Sequence, residues 1–189
     1  MNMTGEYRIA APRQAVWDAL NDADILMRCI PGCEEFVKTS DTTFEAKVTT
    51  TIGPVKTKFT GAVTLTDIDP PNSYRLNGEG KGGPAGFARG GAKVTLTEDG
   101  EGTLLRYEVE AKVGGKLAQL GGRIIDPAAK KLANDFFGRF TEILGGVEAP
   151  APVPAPVPAA EKRVLGLSPL VWAAGAVIIL ALGLFFYFD

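Results

Sequence analysis

The sequence contains no histidine. That absence removes the commonest general base, the commonest metal ligand, and both the serine–histidine and cysteine–histidine nucleophile pairs. Cysteine is scarce as well: Cys29 and Cys33 stand alone in the segment CIPGC. Two thiols make no disulfide framework, and without histidine or further cysteine they cannot complete a four-ligand zinc site. They read as half-buried thiols, and no metal site is expected. Neither sign of charge dominates, with 20 basic against 22 acidic residues and a net charge of -2. The basic footprint of a nucleic-acid binder is missing, so no such partner is expected. The opening MNMTGEYRIAAPRQ has no basic stretch leading into an apolar one, so no secretory signal is expected either.

What is present falls into three regimes. Residues 1–146 mix charged, β-branched and glycine residues as a globular domain does. Residues 147–163, VEAPAPVPAPVPAAEKR, alternate proline with alanine and valine. Such a stretch has little to bury and loses a backbone donor at every proline. It is expected to be an extended spacer, reaching on the order of 40 Å at ~3.1 Å per residue. Residues 164–189 follow, and from Leu165 to Phe188 they carry no charge. Ser168 before Pro169 has the form of a helix start. A helix from there to Phe188 would span about 30 Å, the thickness of a bilayer core. Trp172 and Tyr187 stand where interfacial aromatics stand, and Lys162 and Arg163 precede the run while Asp189 follows it. By the positive-inside rule the expectation is a single C-terminal anchor with the domain facing the cytoplasm.

Within residues 1–146 the periodicity gives an α+β order. GEYRIAAP reads as a strand stopped by Pro12. RQAVWDALND places Val16, Trp17 and Leu20 on one helical face, and DADILMRCI is a second short helix ending at Pro31-Gly32. About six strands follow, from CEEFVKTS to GTLLRYEVEAKV, with alternation in Phe44, Ala46 and Val48 and again in Val63 and Leu65. The last element is a long amphipathic helix. Its expected apolar stripe is Leu117, Leu120, Ile124, Ala128, Leu132, Phe136, Phe140 and Ile143. Pro127 is expected to kink or interrupt it, Gly121-Gly122 is a weaker point, and Asp126 reads as a cap where the helix restarts. A curved antiparallel sheet of about seven strands wrapped on a long C-terminal helix is the helix-grip arrangement. It commonly leaves an apolar cavity between the two layers.

Five segments carry a resemblance to a known family: IAAPRQAVWDALND, CIPGCE, IGPVK, GEGKGGPAGFARGGAKVTL, and AKVGGKLAQLGGRII running into the two phenylalanines of the last helix. Across about residues 3–146 the chain resembles the G-subunit family of carbon monoxide dehydrogenase, within the START-like superfamily. It departs from that pattern at Ala23, where proline is expected after the Asn-Asp pair. The resemblance implies a helix-grip domain and a non-catalytic accessory role. It implies attachment of a cytoplasmic molybdenum hydroxylase, of the carbon monoxide dehydrogenase type, to the inner membrane. It also implies binding of a respiratory quinone, menaquinone or ubiquinone, with no covalently bound cofactor.

The candidate ligand residues are the apolar side chains Phe87, Leu117, Leu120, Ile124, Leu132, Phe136 and Phe140. Phe136, Phe137 and Phe140 recur at helical spacing and are core by the general tendency of aromatics, but in a helix-grip domain the core face is also the cavity wall. The glycine-rich stretch Gly78–Gly91 lacks the Lys-Ser/Thr of a phosphate loop and opens a strand. It reads as a bulged, sharply curved pair of strands. Its functional reading is a cavity mouth, with Phe87 closing on a ligand and Lys81 or Arg89 meeting a polar head or an acidic partner. Glu34, Glu35, Glu108 and Glu110 follow strand alternation on solvated faces, and no carboxylate pair argues for acid–base work, so no catalytic residue is assigned. Two other readings are kept: a START-like cyclase or hydratase, and a lipid carrier acting on a hydrophobic molecule.

Overall fold

The structure is a computed structural model that describes residues 1–145. The proline–alanine spacer and the apolar C-terminal run lie outside the described residues, and so does the last residue of the expected domain. Among the described residues no helix is long and apolar enough to cross a membrane.

The chain runs β1 (Asn2–Ile9), α1 (Arg13–Leu20), α2 (Ala23–Cys29), β2 (Cys33–Lys38), β3 (Thr43–Ile52), β4 (Val55–Asp69), β5 (Ser73–Lys81), β6 (Phe87–Asp99), β7 (Gly102–Gly114), α3 (Lys116–Leu120) and α4 (Gly122–Ile143). The strands form one antiparallel sheet in the order β1-β7-β6-β5-β4-β3-β2. The crossover that brings β1 beside β7 is made by α1 and α2, which carry the chain to the far edge. Asp22 starts α2 as its N-cap, accepting from the amides of Asp24 and Ile25 at 2.9 and 3.0 Å. With that cap in place, Ala23 takes the first helical position without the proline.

Strand alternation divides the sheet into two faces. Val48, Phe59, Val63, Leu96, Leu105 and Val109 are buried on the inner face. The outer face carries charge, including the ion pairs Lys47–Glu35 and Lys58–Glu34. Lys58 and Thr49 both donate to Glu34, which holds its carboxyl below the usual range. The solvated reading of Glu34 and Glu35 therefore stands.

Two expectations need correction. The glycine-rich pair of strands is not bulged: β5 and β6 pair without a break in register from Ser73↔Thr95 to Lys81↔Phe87. The irregularities lie in β2 at Cys33/Glu35 and in β4 at Thr66/Asp69. The long helix breaks at Gly121 and not at Pro127. Gly121 adopts φ 70°, a left-handed value that glycine takes at little cost, and α4 then runs continuously through Pro127. Asp126 is thus inside the helix and caps nothing.

Candidate functional site

The space between the sheet and α4 is the candidate site. α4 crosses the inner face from β3 to the β1–β7 edge, where Phe137 meets Tyr7 and Tyr107. Its buried side chains are Ile125, Ala129, Ala133, Phe136, Phe137 and Phe140. Phe137 stacks on Tyr7 with ring centroids 4.1 Å apart and lies parallel to Tyr107 at 5.7 Å. Phe136 meets Phe137 edge-on at 5.0 Å and stacks on Phe140 at 5.8 Å. One aromatic cluster therefore ties β1, β7 and α4 together.

A cavity of about 20 Å³ remains beside this cluster. It is walled by Leu20 and Leu26 from the short helices, Phe44, Leu65, Tyr74, Leu76, Val94 and Leu105 from the sheet, and Phe136 and Phe137 from α4. Tyr74 brings the only hydroxyl to that wall, and its ring edge meets Trp17 at 5.4 Å. The volume is room for about one water molecule, far below the roughly 150 Å³ that holds a benzene ring. A larger ligand would have to part the layers. Away from the cavity lining, toward the β5–β6 connection, the inner face of the sheet carries little bulk. Gly61, Gly80 and Ala88 lie in one cross-strand row, and Gly78, Gly90 and Ala111 in the next.

Interior polar groups are few. At the exposed edge of the site Tyr7 Oη donates to Asn134 Oδ1 at 2.6 Å. Burial pushes the phenols of Tyr7, Tyr74 and Tyr107 above their ordinary value. All three stay protonated at neutral pH. The two cysteines are free, and burial raises both thiols to about 11, so neither is poised as a nucleophile. Among the described residues no cluster of three or more acidic or cysteine side chains could hold a metal ion.

The ligand residues expected from sequence divide. Leu117, Phe136 and Phe140 are buried, and Phe136 lines the cavity. Leu120 and Leu132 are half-buried, and Phe87 and Ile124 are 36% and 37% exposed. Of the seven, Phe136 alone lines the cavity. Ile124 belongs to the rim because the break at Gly121 resets the phase of α4, so that Ile125 takes the inward position. Lys81 and Arg89 sit where β5 and β6 leave the sheet, and Arg89 lies over the Phe87 ring at 5.9 Å. Absent from the expected set are Tyr7, Tyr74 and Tyr107. Strand parity carries the signal for them: each lies two residues from an inward aliphatic side chain, Ile9, Leu76 and Leu105 respectively.

A seven-stranded antiparallel sheet closed over a C-terminal helix, with an aromatic-lined interior, defines a START-like domain. Solved structures with this fold include a START superfamily protein from Mycobacterium smegmatis, 12% identical over 76% of this chain and 94% of that one, with a TM-score of 0.54. A Thermus thermophilus protein is 15% identical over 76% of this chain and 97% of that one, with a TM-score of 0.59. A conserved protein from Geobacillus kaustophilus is much nearer: 34% identical over 77% of this chain and 95% of that one, TM-score 0.72. No curated protein matches the sequence. The family model for CoxG, the G-subunit of carbon monoxide dehydrogenase, matches residues 5–145. The chain belongs to the CoxG family, and the family name implies association with carbon monoxide dehydrogenase.

Proposed function

We propose that this chain is a non-catalytic accessory protein that holds an apolar ligand, a respiratory quinone such as menaquinone or ubiquinone, between its sheet and α4. In this reading it recruits a cytoplasmic molybdenum hydroxylase of the carbon monoxide dehydrogenase type to the inner face of the membrane. The observation that carries the ligand reading is the cavity wall. It is aliphatic and aromatic apart from the Tyr74 hydroxyl, the pattern of a site that grips a ring by contact and orients it with few polar groups. A quinone carbonyl accepts hydrogen bonds, and a phenol held protonated by burial is a suitable donor. Entry of the ring requires Phe136 and Phe137 to move away from the sheet.

The family membership supports the recruiting role, and the apolar run Leu165–Phe188 supports the membrane location. A strain lacking this protein tests both. Its hydroxylase should keep full activity with a soluble dye acceptor but lose membrane association and quinone-linked respiration. Unchanged association and respiration would remove the recruiting role. The ligand is tested separately, by organic extraction of the purified full-length protein and by titration with a short-chain quinone. No extracted quinone together with no saturable binding would remove that part.

A further inference from the structure

In an antiparallel meander the connections alternate between the two ends of the sheet, and here charge is sorted by end. The turn between β3 and β4, the connection between β5 and β6, and the junction of β7 with α3 all lie at one end. Lys56, Arg89, Lys112, Lys116 and Arg123 are exposed there. Lys56 pairs in register with Thr51 near the turn, and Arg89 lies opposite Lys112. Among the described residues Lys56, Lys112, Lys116 and Arg123 make no salt bridge. The acids at this end include Glu79, opposite Arg89, Glu110, opposite Gly91, and Asp126 beside Gly122 at the start of α4. The other end carries the β2–β3, β4–β5 and β6–β7 turns with Asp41, Asp69 and Glu101, which make no salt bridge among the described residues, and with Glu98 and Asp99, which pair with Arg13 and Arg8. The described residues thus carry unpaired cations at one end of the strands and unpaired acids at the other, a dipole along the strands.

Two large apolar side chains are exposed at the basic end. Phe87 lies across Gly114, where an added Cβ would come within 2.3 Å of the ring. Ile124 lies against Gly53 at the tip of the β3–β4 turn, where a Cβ would come within 2.6 Å of its Cγ2. A protein interface of ordinary size has an apolar, aromatic core. This end has instead separate apolar tips set among cations. That is the pattern of a peripheral membrane contact, with apolar tips at the headgroup boundary and lysine and arginine on the phosphates.

We infer that this basic end docks directly on an anionic bilayer surface, independently of the C-terminal run. The acidic end then points away and the dipole sets the approach. Docking does not rest on the ligand reading. If that reading also holds, a ligand could pass between lipid and interior without crossing water.

Residues 1–145 suffice for the test, since the Geobacillus chain consists almost wholly of the matching domain and is folded. That fragment is sedimented with vesicles of phosphatidylcholine alone and of phosphatidylcholine mixed with phosphatidylglycerol. It should bind the anionic vesicles at low ionic strength, release from them in high salt, and ignore the neutral ones. Replacing both Lys112→Gln and Lys116→Gln should weaken binding roughly 25-fold, at about fivefold per charge, with the melting temperature unchanged. Phe87→Ser should weaken it further. Equal binding to both vesicle types, or full binding by the lysine variant, would overturn the proposal. So would absence of vesicle binding together with capture of the purified partner hydroxylase through the same lysines, which would make this end a protein interface. Vesicle binding that persists when quinone binding is absent would overturn the ligand reading and leave docking intact.

Discussion

Phe137 touches more of the interior than its place in a run of helical aromatics implies. It is 3% exposed, stacks on Tyr7, lies parallel to Tyr107, and walls the cavity. Gly5 belongs to the same arrangement, since a Cβ there would stand 2.4 Å from the Tyr107 hydroxyl. Truncating Phe137→Ala removes a ring that its neighbours cannot replace, because Tyr7, Tyr107 and Phe136 are held by their own contacts. The expected cost is about 3–5 kcal/mol, read as a fall of roughly 10 °C or more in melting temperature. The variant should also open a dry, aromatic-walled space joined to the existing cavity. A saturating small aromatic such as benzene should therefore raise the melting temperature of the variant and leave the parent unmoved. A variant that melts with the parent, or that gains nothing from benzene, would show that the cluster closes over the gap and is no ligand wall.

Among the elements, α3 and α4 show where sequence reasoning held and where it slipped. One continuous stripe from Leu117 to Ile143 treats both helices as a single phase. Gly121, at φ 70°, ends that phase, and the inward face of α4 restarts at Ile125, Ala129 and Ala133. Phe136 and Phe140 were legible because they fall on both stripes. Ile124 and Leu132 were misplaced because they fall on the first alone. The strands were legible because alternation between two faces depends on local parity, which survives any error in turn geometry. The glycines of β5 and β6 were misread as bulges because composition does not distinguish a strand that bulges from one that pairs in unbroken register. Pro127 leaves the Arg123 carbonyl without its helical amide partner, yet α4 passes through it. Pro127→Ala should restore that bond and raise stability by about 1–3 kcal/mol. Gly121→Ala should lower it by about 1 kcal/mol, since an alanine side chain disfavours the left-handed backbone. Chemical denaturation of the two variants checks both signs. A destabilising Pro127→Ala would mean that the ring itself packs usefully at the rim.

At the scale of the whole molecule, two attachments to the membrane are expected to act on one domain. The spacer read from residues 147–163 would hold the domain within about 40 Å of the bilayer. At that distance even a weak docking end sees a high effective concentration of lipid headgroups. The docking end then need only be strong enough to choose an orientation, and five exposed cations with two apolar tips fit a contact of that strength. The two attachments should separate by their response to salt. Contact through lysine and arginine is screened within a Debye length of about 8 Å at physiological ionic strength, whereas burial of an uncharged helix in hydrocarbon is not. The full chain should therefore stay with isolated membranes through a high-salt wash, and a chain ending at Glu161 should be released by that wash. At low ionic strength the truncated chain should still bind, and Lys112→Gln with Lys116→Gln should weaken that residual binding by the same factor as on vesicles. If the truncated chain resists high salt, the apolar run is not the anchor. If it fails to bind even at low ionic strength, the domain has no membrane contact of its own, and reach through the spacer alone would have to bring it to the lipid.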